Sequence, residues 1–206
     1  KDWNVRNPVN TGPNWKCGQE CSFRLFSLLL TSFILKQHKS PSDVLAQLIE
    51  AHLGRIAGNL RYAVAQSNNH WTSEAAALFV GGAWLSVIAQ NDTDIRRRAR
   101  RWAETGRLRL EQGISSLVLD DGTFSQHSTV YHRVLLDTLS FALFWQKELG
   151  TDSFSDTLMA KARAALNWMV QMTDSITGDA PNMGANDGSM IMSLHSCSYR
   201  DFRPTI

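Results

Sequence analysis

The chain has 206 residues, 43% of them hydrophobic and 19% charged, with a net charge of +2, as expected of one soluble globular domain or a large piece of one. Three cysteines, an odd number, exclude a disulfide framework, and the most apolar run, LFSLLLTSFIL, is about half the length needed to cross a bilayer. The charge says little about partners, whereas seven tryptophans, good core fillers that also make flat walls for sugar rings, only nudge toward a carbohydrate ligand.

The chain opens on KDWNVRNP, without an initiator methionine or export signal, as a mature or excised chain would. A first helix is predicted over residues 18–38, with Cys17 and Cys21 one turn apart and read as packing thiols. The second starts with Ser40 as cap and Pro41 at the first helical position and runs to about residue 65. The third follows Asn68, Asn69 and His70 and ends near residue 89. The fourth spans residues 91–114, the fifth residues 131–149 and the sixth residues 154–173. Only SSLVL, ahead of DDGTF, hints at a strand, so the fold class is all-α. DIRRRARRW invites a nucleic-acid reading, but Glu104 and Glu111 follow on the same helix, and a solvated outer helix is the better one.

The links after helices one, three and five are short (KSP, QND, GTDS), so the six helices form three antiparallel hairpins. The links after helices two and four, QSNNH and SSLVLDDGTFSQHSTV, and the segment after helix six, DSITGDAPNMGANDGS, are richer. Alternation puts all three at one end, where the segment before helix one arrives as well. Function tends to sit where variable loops gather on a rigid scaffold.

Two motifs there carry chemistry. Asn68, Asn69 and His70 form the first; DGTFSQHSTVYHRVLLD, with Gln126, Tyr131 and His132, forms the second. An amide, imidazole and phenol in one cleft can remove the weakly acidic C5 proton of a uronic acid and expel the O4 leaving group. The amide or an imidazole N–H steadies the carboxylate, the imidazole or a phenolate takes the proton, and a phenol donates one. A tyrosine acting as base needs a cationic or hydrogen-bonded neighbour to bring its pKa down. This chemistry requires no metal or cofactor.

SNNHWTSEAAALFVGGAWL, DGTFSQHSTVYHRVLLD, PNMGANDGSMIMSL with YRDFRP, and GPNWKCGQECSFR together resemble the heparinase II/III-like polysaccharide lyases, which include oligoalginate lyases and heparinase III. The resemblance implies an incomplete (α/α) toroid built from antiparallel hairpins and β-elimination on an acidic polysaccharide. It implies Asn69 as carboxylate neutraliser, His70 as base or neutraliser, Tyr131 as catalytic tyrosine and His132 as the histidine that follows it. It further implies that residues 1–206 are a helical domain from a longer chain with a C-terminal β-sandwich, in a bacterial periplasmic or secreted enzyme. No nucleic acid and no membrane insertion are expected.

Trp15, Glu20, Arg24, Asn68, Trp71, Gln126 and Asn186 are the candidate substrate-binding residues. Glu20 and Arg24, one turn apart, also read as an ion pair, with Arg24 alternatively holding a substrate carboxylate. Glu74, one turn after His70, either orients it or favours the helix N-terminus. Asn186 and Asp187 in GANDG look like turn residues. Two other classes stay open. A glycoside hydrolase would pair Asp120 or Asp121 with Asp187 across the scissile bond. A non-catalytic module would bind sugar on Trp15, Trp71 and Phe124.

Overall fold

The structure, a computed structural model, describes residues 2–89, 91–191 and 196–206. Gln90, in the short third link, and residues 192–194, which end the PNMGANDGSMIMSL stretch, lie outside the described residues. Seven helices appear among those described: α1 Asp2–Arg6, α2 Gly18–Ile34, α3 Asp43–Gln66, α4 Asn69–Ile88, α5 Thr93–Leu117, α6 Thr129–Glu148 and α7 Asp156–Met172. The predicted six are α2 to α7, and the short α1 carried no sequence signal. No strand occurs among the described residues. SSL closes the last turn of α5, and Val118 makes only an isolated bridge with Phe124.

Five helices start on side-chain caps, each accepting a backbone N–H left over by the first turn. Asn68 caps α4, Asp92 caps α5, Ser128 caps α6 and Ser155 caps α7. The start of α3 corrects the expectation: Ser42 accepts from the Leu45 N–H and Asp43 adds an acid to the first turn, so the helix begins two residues after Pro41. The end of α2 is corrected too. The N–H of Lys36 bonds the Phe33 carbonyl, and that of Gln37 bonds the Ser32 carbonyl. This Schellman arrangement closes the helix at Ile34, with Lys36 left-handed at φ 55°.

α4 is the centre of the core. Ala75 to Val80 are buried in an unbroken run, and α2, α3, α5 and α6 all pack on α4. It is long and apolar enough to cross a membrane, yet 78% of that span is buried inside the protein. Glycines let α5 come close: a Cβ at Gly82 would stand 2.6 Å from the Ala103 nitrogen, and one at Gly106 would stand 2.7 Å from the Ala75 carbonyl oxygen.

Each predicted hairpin pair packs together, and alternate helices pack as well, α2 on α4 on α6 and α3 on α5 on α7. The starts of α2 and α4 meet, since Gln19 donates to Ser73 at 3.2 Å. Far ends meet too: His38, after α2, contacts Glu148 at the end of α6, and its carbonyl accepts from Trp84 of α4. Thus α2, α4 and α6 run in one direction with their N-termini together.

Candidate functional site

The rich loops converge at those N-termini. The Asn69 N–H donates to Gln126 Oε1 at 2.9 Å, and Ser125 Oγ reaches the Ser67 carbonyl at 3.4 Å, joining the α3–α4 turn to the loop before α6. That loop is joined in turn to the segment after α7. Ser128 Oγ donates to the Ala185 carbonyl and Thr129 Oγ1 to the Pro181 carbonyl. The buried Arg133 donates to the carbonyls of Ser189 and Tyr199 and lies over the rings of Tyr199 and Phe202.

The α3–α4 turn is only Ser67 and Asn68. Ser67 takes a left-handed conformation, and Asn68 accepts the His70 N–H while capping α4. This puts His70 in the first turn, its side chain 25% exposed, with Nδ1 3.4 Å from Glu74 Oε1. Asn69 is buried, and its carbonyl accepts from Thr72 and Ser73. Glu74 is buried as well, and its Oε2 has no partner. Burial pushes the Glu74 carboxyl up, while His70 and Arg55 pull it back down.

Tyr131 and His132, in the first turn of α6, face different surroundings. The Tyr131 hydroxyl donates to Asp187 Oδ2 at 2.7 Å. That bond, burial and the charge of Asp187 push the phenol up to about 12. Asp187 is held below its usual range by Ser189 and Tyr131. His132 is 1% exposed, stacks on Trp168 at 4.4 Å between centroids and lies 2.8 Å from the Ala165 carbonyl. Burial lowers its pKa, and it has no open edge towards the loops.

Several expected sugar contacts lie elsewhere. Trp15 is 2% exposed, packed on the buried His52 at 4.6 Å. Arg24 turns into the same cluster, 4.0 Å from Glu20, donating to His52 Nε2 and the Asn14 carbonyl, with Cys21 Sγ 3.1 Å away. Trp71, in the first turn of α4, turns to α5 and donates to the Arg109 carbonyl. Phe124 is 1% exposed. Asp120 pairs with Lys161, and Asp121 accepts the Thr123 N–H within its own turn.

Asn186 remains at the surface. It accepts from the Tyr199 hydroxyl at 2.9 Å and lines a hollow of ≈ 370 Å³ with Thr129, Asn182, Tyr199, Arg200 and Phe202. Neither His70 nor Tyr131 lines this hollow. The Asn69–Gln126 bond and the Ser125–Ser67 contact join the segments at their two helix starts.

Sequence reasoning missed Asp187 as the partner of Tyr131. Its local signal was that of a turn residue: Oδ1 accepts from Ser189, and only the tertiary fold brings Oδ2 to the phenol.

The family described as "Heparinase II/III N-terminus" matches residues 1–194. Neither a curated protein nor a solved structure matches.

Proposed function

Since the chain belongs to the heparinase II/III N-terminal family, we propose that it is the helical part of a polysaccharide lyase that cleaves a uronic-acid polymer by β-elimination. The two rows of helices, α2–α4–α6 and α3–α5–α7, suit an arc of an (α/α) toroid. In this reading the chain is part of a longer enzyme with a C-terminal β-sandwich, acting in the periplasm or outside the cell.

The observation that carries the reading is the Asn69–Gln126 hydrogen bond, which ties the histidine motif to the loop that leads into Tyr131. His70 is the base. Its imidazole takes the C5 proton, the C–H electron pair becomes the C4–C5 double bond, and the C4–O4 bond breaks. Tyr131 is the acid and gives its proton to the departing O4. A phenol raised to about 12 stays protonated at neutral pH, which suits an acid and not a base. Asn69 supplies the amide that steadies the substrate carboxylate as charge develops. His132 supports the fold of α6 and takes no part in proton transfer.

The other classes find less support. Asp120, Asp121 and Asp187 are each committed to a partner, and Trp15 and Phe124 offer no open ring face. The test is full-length protein with a panel of uronic-acid polymers, read by the ultraviolet absorbance of the unsaturated product. Tyr131→Phe and His70→Ala should each remove that absorbance while the helical circular dichroism stays unchanged. Full turnover by Tyr131→Phe, or reducing ends without the absorbance, overturns the reading.

A further inference from the structure

Glu74 is an expensive residue. It is 2% exposed, next to the buried Thr72 and Ser73 and directly before the apolar run of α4, and one of its oxygens has no hydrogen-bond partner. A buried carboxylate with an orphaned oxygen destabilises a fold, and an apolar side chain of similar size would pack there at lower cost. Its other oxygen lies 3.4 Å from His70 Nδ1.

The space it fills is also shaped for it. Gly18 is the first residue of α2, and a Cβ there would stand 2.6 Å from Glu74 Cδ and 2.7 Å from Oε1. The carboxylate therefore rests on bare backbone at the N-terminus of a 17-residue helix, an end that favours negative charge. Gln19 fixes the approach of the two helices by donating to Ser73. Among the described residues, the titratable and charged groups that bear on Glu74 are His70 of its own helix and, from α3, Arg55, which is itself held by the carbonyls of Trp15 and Lys16.

We propose that Glu74, seated against Gly18, is the positioning residue for His70: it accepts from the Nδ1–H, which keeps that hydrogen on Nδ1, fixes the tautomer and leaves Nε2 as the nitrogen that accepts the substrate proton. When His70 takes up that proton, the carboxylate faces the imidazolium and stabilises it, while Glu74 itself exchanges no proton with the substrate. The proposal rests on His70 acting as the lyase base.

Two readouts on full-length protein separate this inference from that reading. The first is the nitrogen NMR spectrum and titration of His70, which needs no turnover. Glu74→Gln keeps an acceptor but removes the charge, so the tautomer should persist while the imidazolium becomes more acidic. Glu74→Leu should abolish the tautomer preference. Gly18→Ala keeps Glu74 in the chain but fills its seat, and should reproduce the Leu result if the Leu variant does not fold. The second readout is the lyase pH profile. The acid limb of kcat should move to lower pH in Glu74→Gln, with kcat down on the order of tenfold in Gln and a hundredfold in Leu, and KM little changed. Unchanged His70 shifts and titration in Glu74→Gln and Gly18→Ala overturn the positioning role. Altered shifts in a protein that cleaves no uronic-acid polymer overturn the lyase reading instead.

Discussion

On α6, Tyr131 and His132 stand about 100° apart around the helix, which is enough to send one to the loops and the other to α7. Both are polar aromatic residues in one motif, so their neighbours decide which of them can do chemistry. Asp187 favours the protonated phenol, and the expected consequence is measurable. In an ultraviolet phenolate titration, with Tyr131→Phe as the difference standard, the Tyr131 step should lie near 12 in the parent and move down towards 10 in Asp187→Asn. The sign for stability follows from both partners. Asp187 is depressed and Tyr131 is raised, so the pair stabilises the fold from above the ordinary carboxylate range up to about pH 10, and the benefit is lost on either side. A Tyr131 step unmoved by Asp187→Asn would show that the bond does not persist in solution. His132→Ala should instead cost about 2–4 kcal/mol in denaturant unfolding, through the lost packing on Trp168. The residue types were legible in the sequence. Their orientation was not, because it depends on α7 and on a loop more than fifty residues downstream.

The starts of α4 and α5 proved easier to read than the end of α2, and the reason is chemical. A start needs a side-chain oxygen for a free N–H, and Asn68 and Asp92 announce themselves as such oxygens. An end needs a left-handed residue, normally glycine, and α2 supplies Lys36 in its place. With no glycine to mark the stop, the helix reads on past the apolar run to residue 38. Lys36→Gly should therefore stabilise the protein by about 1 kcal/mol, the cost of a left-handed conformation with a Cβ, seen as a higher midpoint in urea at unchanged slope. A lower midpoint would mean that the Lys36 side chain makes a contact worth more than its backbone strain. The α4–α5 seam works in the opposite sense. Gly82→Ala would push a methyl against the Ala103 backbone, which cannot swing aside as a side chain can, and should destabilise by about 1–3 kcal/mol. VGGAW read as helix in the sequence, but which helix came close enough to need its glycines was a tertiary fact.

For the whole molecule, antiparallel succession carried the organisation: the connections after α2, α4 and α6 turn each helix back on the next, so the segments that lead into α4 and α6 share one end, even though the α3–α4 turn is itself only Ser67 and Asn68. That argument uses only chain length and rigidity, and it therefore reaches the end of the bundle without reaching individual contacts. The cluster of Trp15, Arg24 and His52 illustrates the gap, since Arg24 and Trp15 read as sugar contacts and instead staple the segment before α2 to α3. Burial holds His52 neutral, with its pKa lowered to about 4, one ring nitrogen at 2.7 Å from the Leu48 carbonyl and the other accepting from Arg24. The unfolded chain takes up this proton first, near pH 6.5, so folding stability is full above that pH and falls as pH drops towards 4. The loss amounts to about 3 kcal/mol for a shift of this size. The buried His132 adds a loss of the same sign. Asp201, held down to about 2 by Arg203, contributes only at lower pH, so the two windows are separable. Denaturant unfolding at a series of pH values should show the decline between 6.5 and 4, and His52→Gln, which can still accept from Arg24, should flatten most of it. An equal decline in His52→Gln would mean that this histidine is reached by water in the folded protein, and the staple between α2 and α3 would then be far looser than a fully buried imidazole requires.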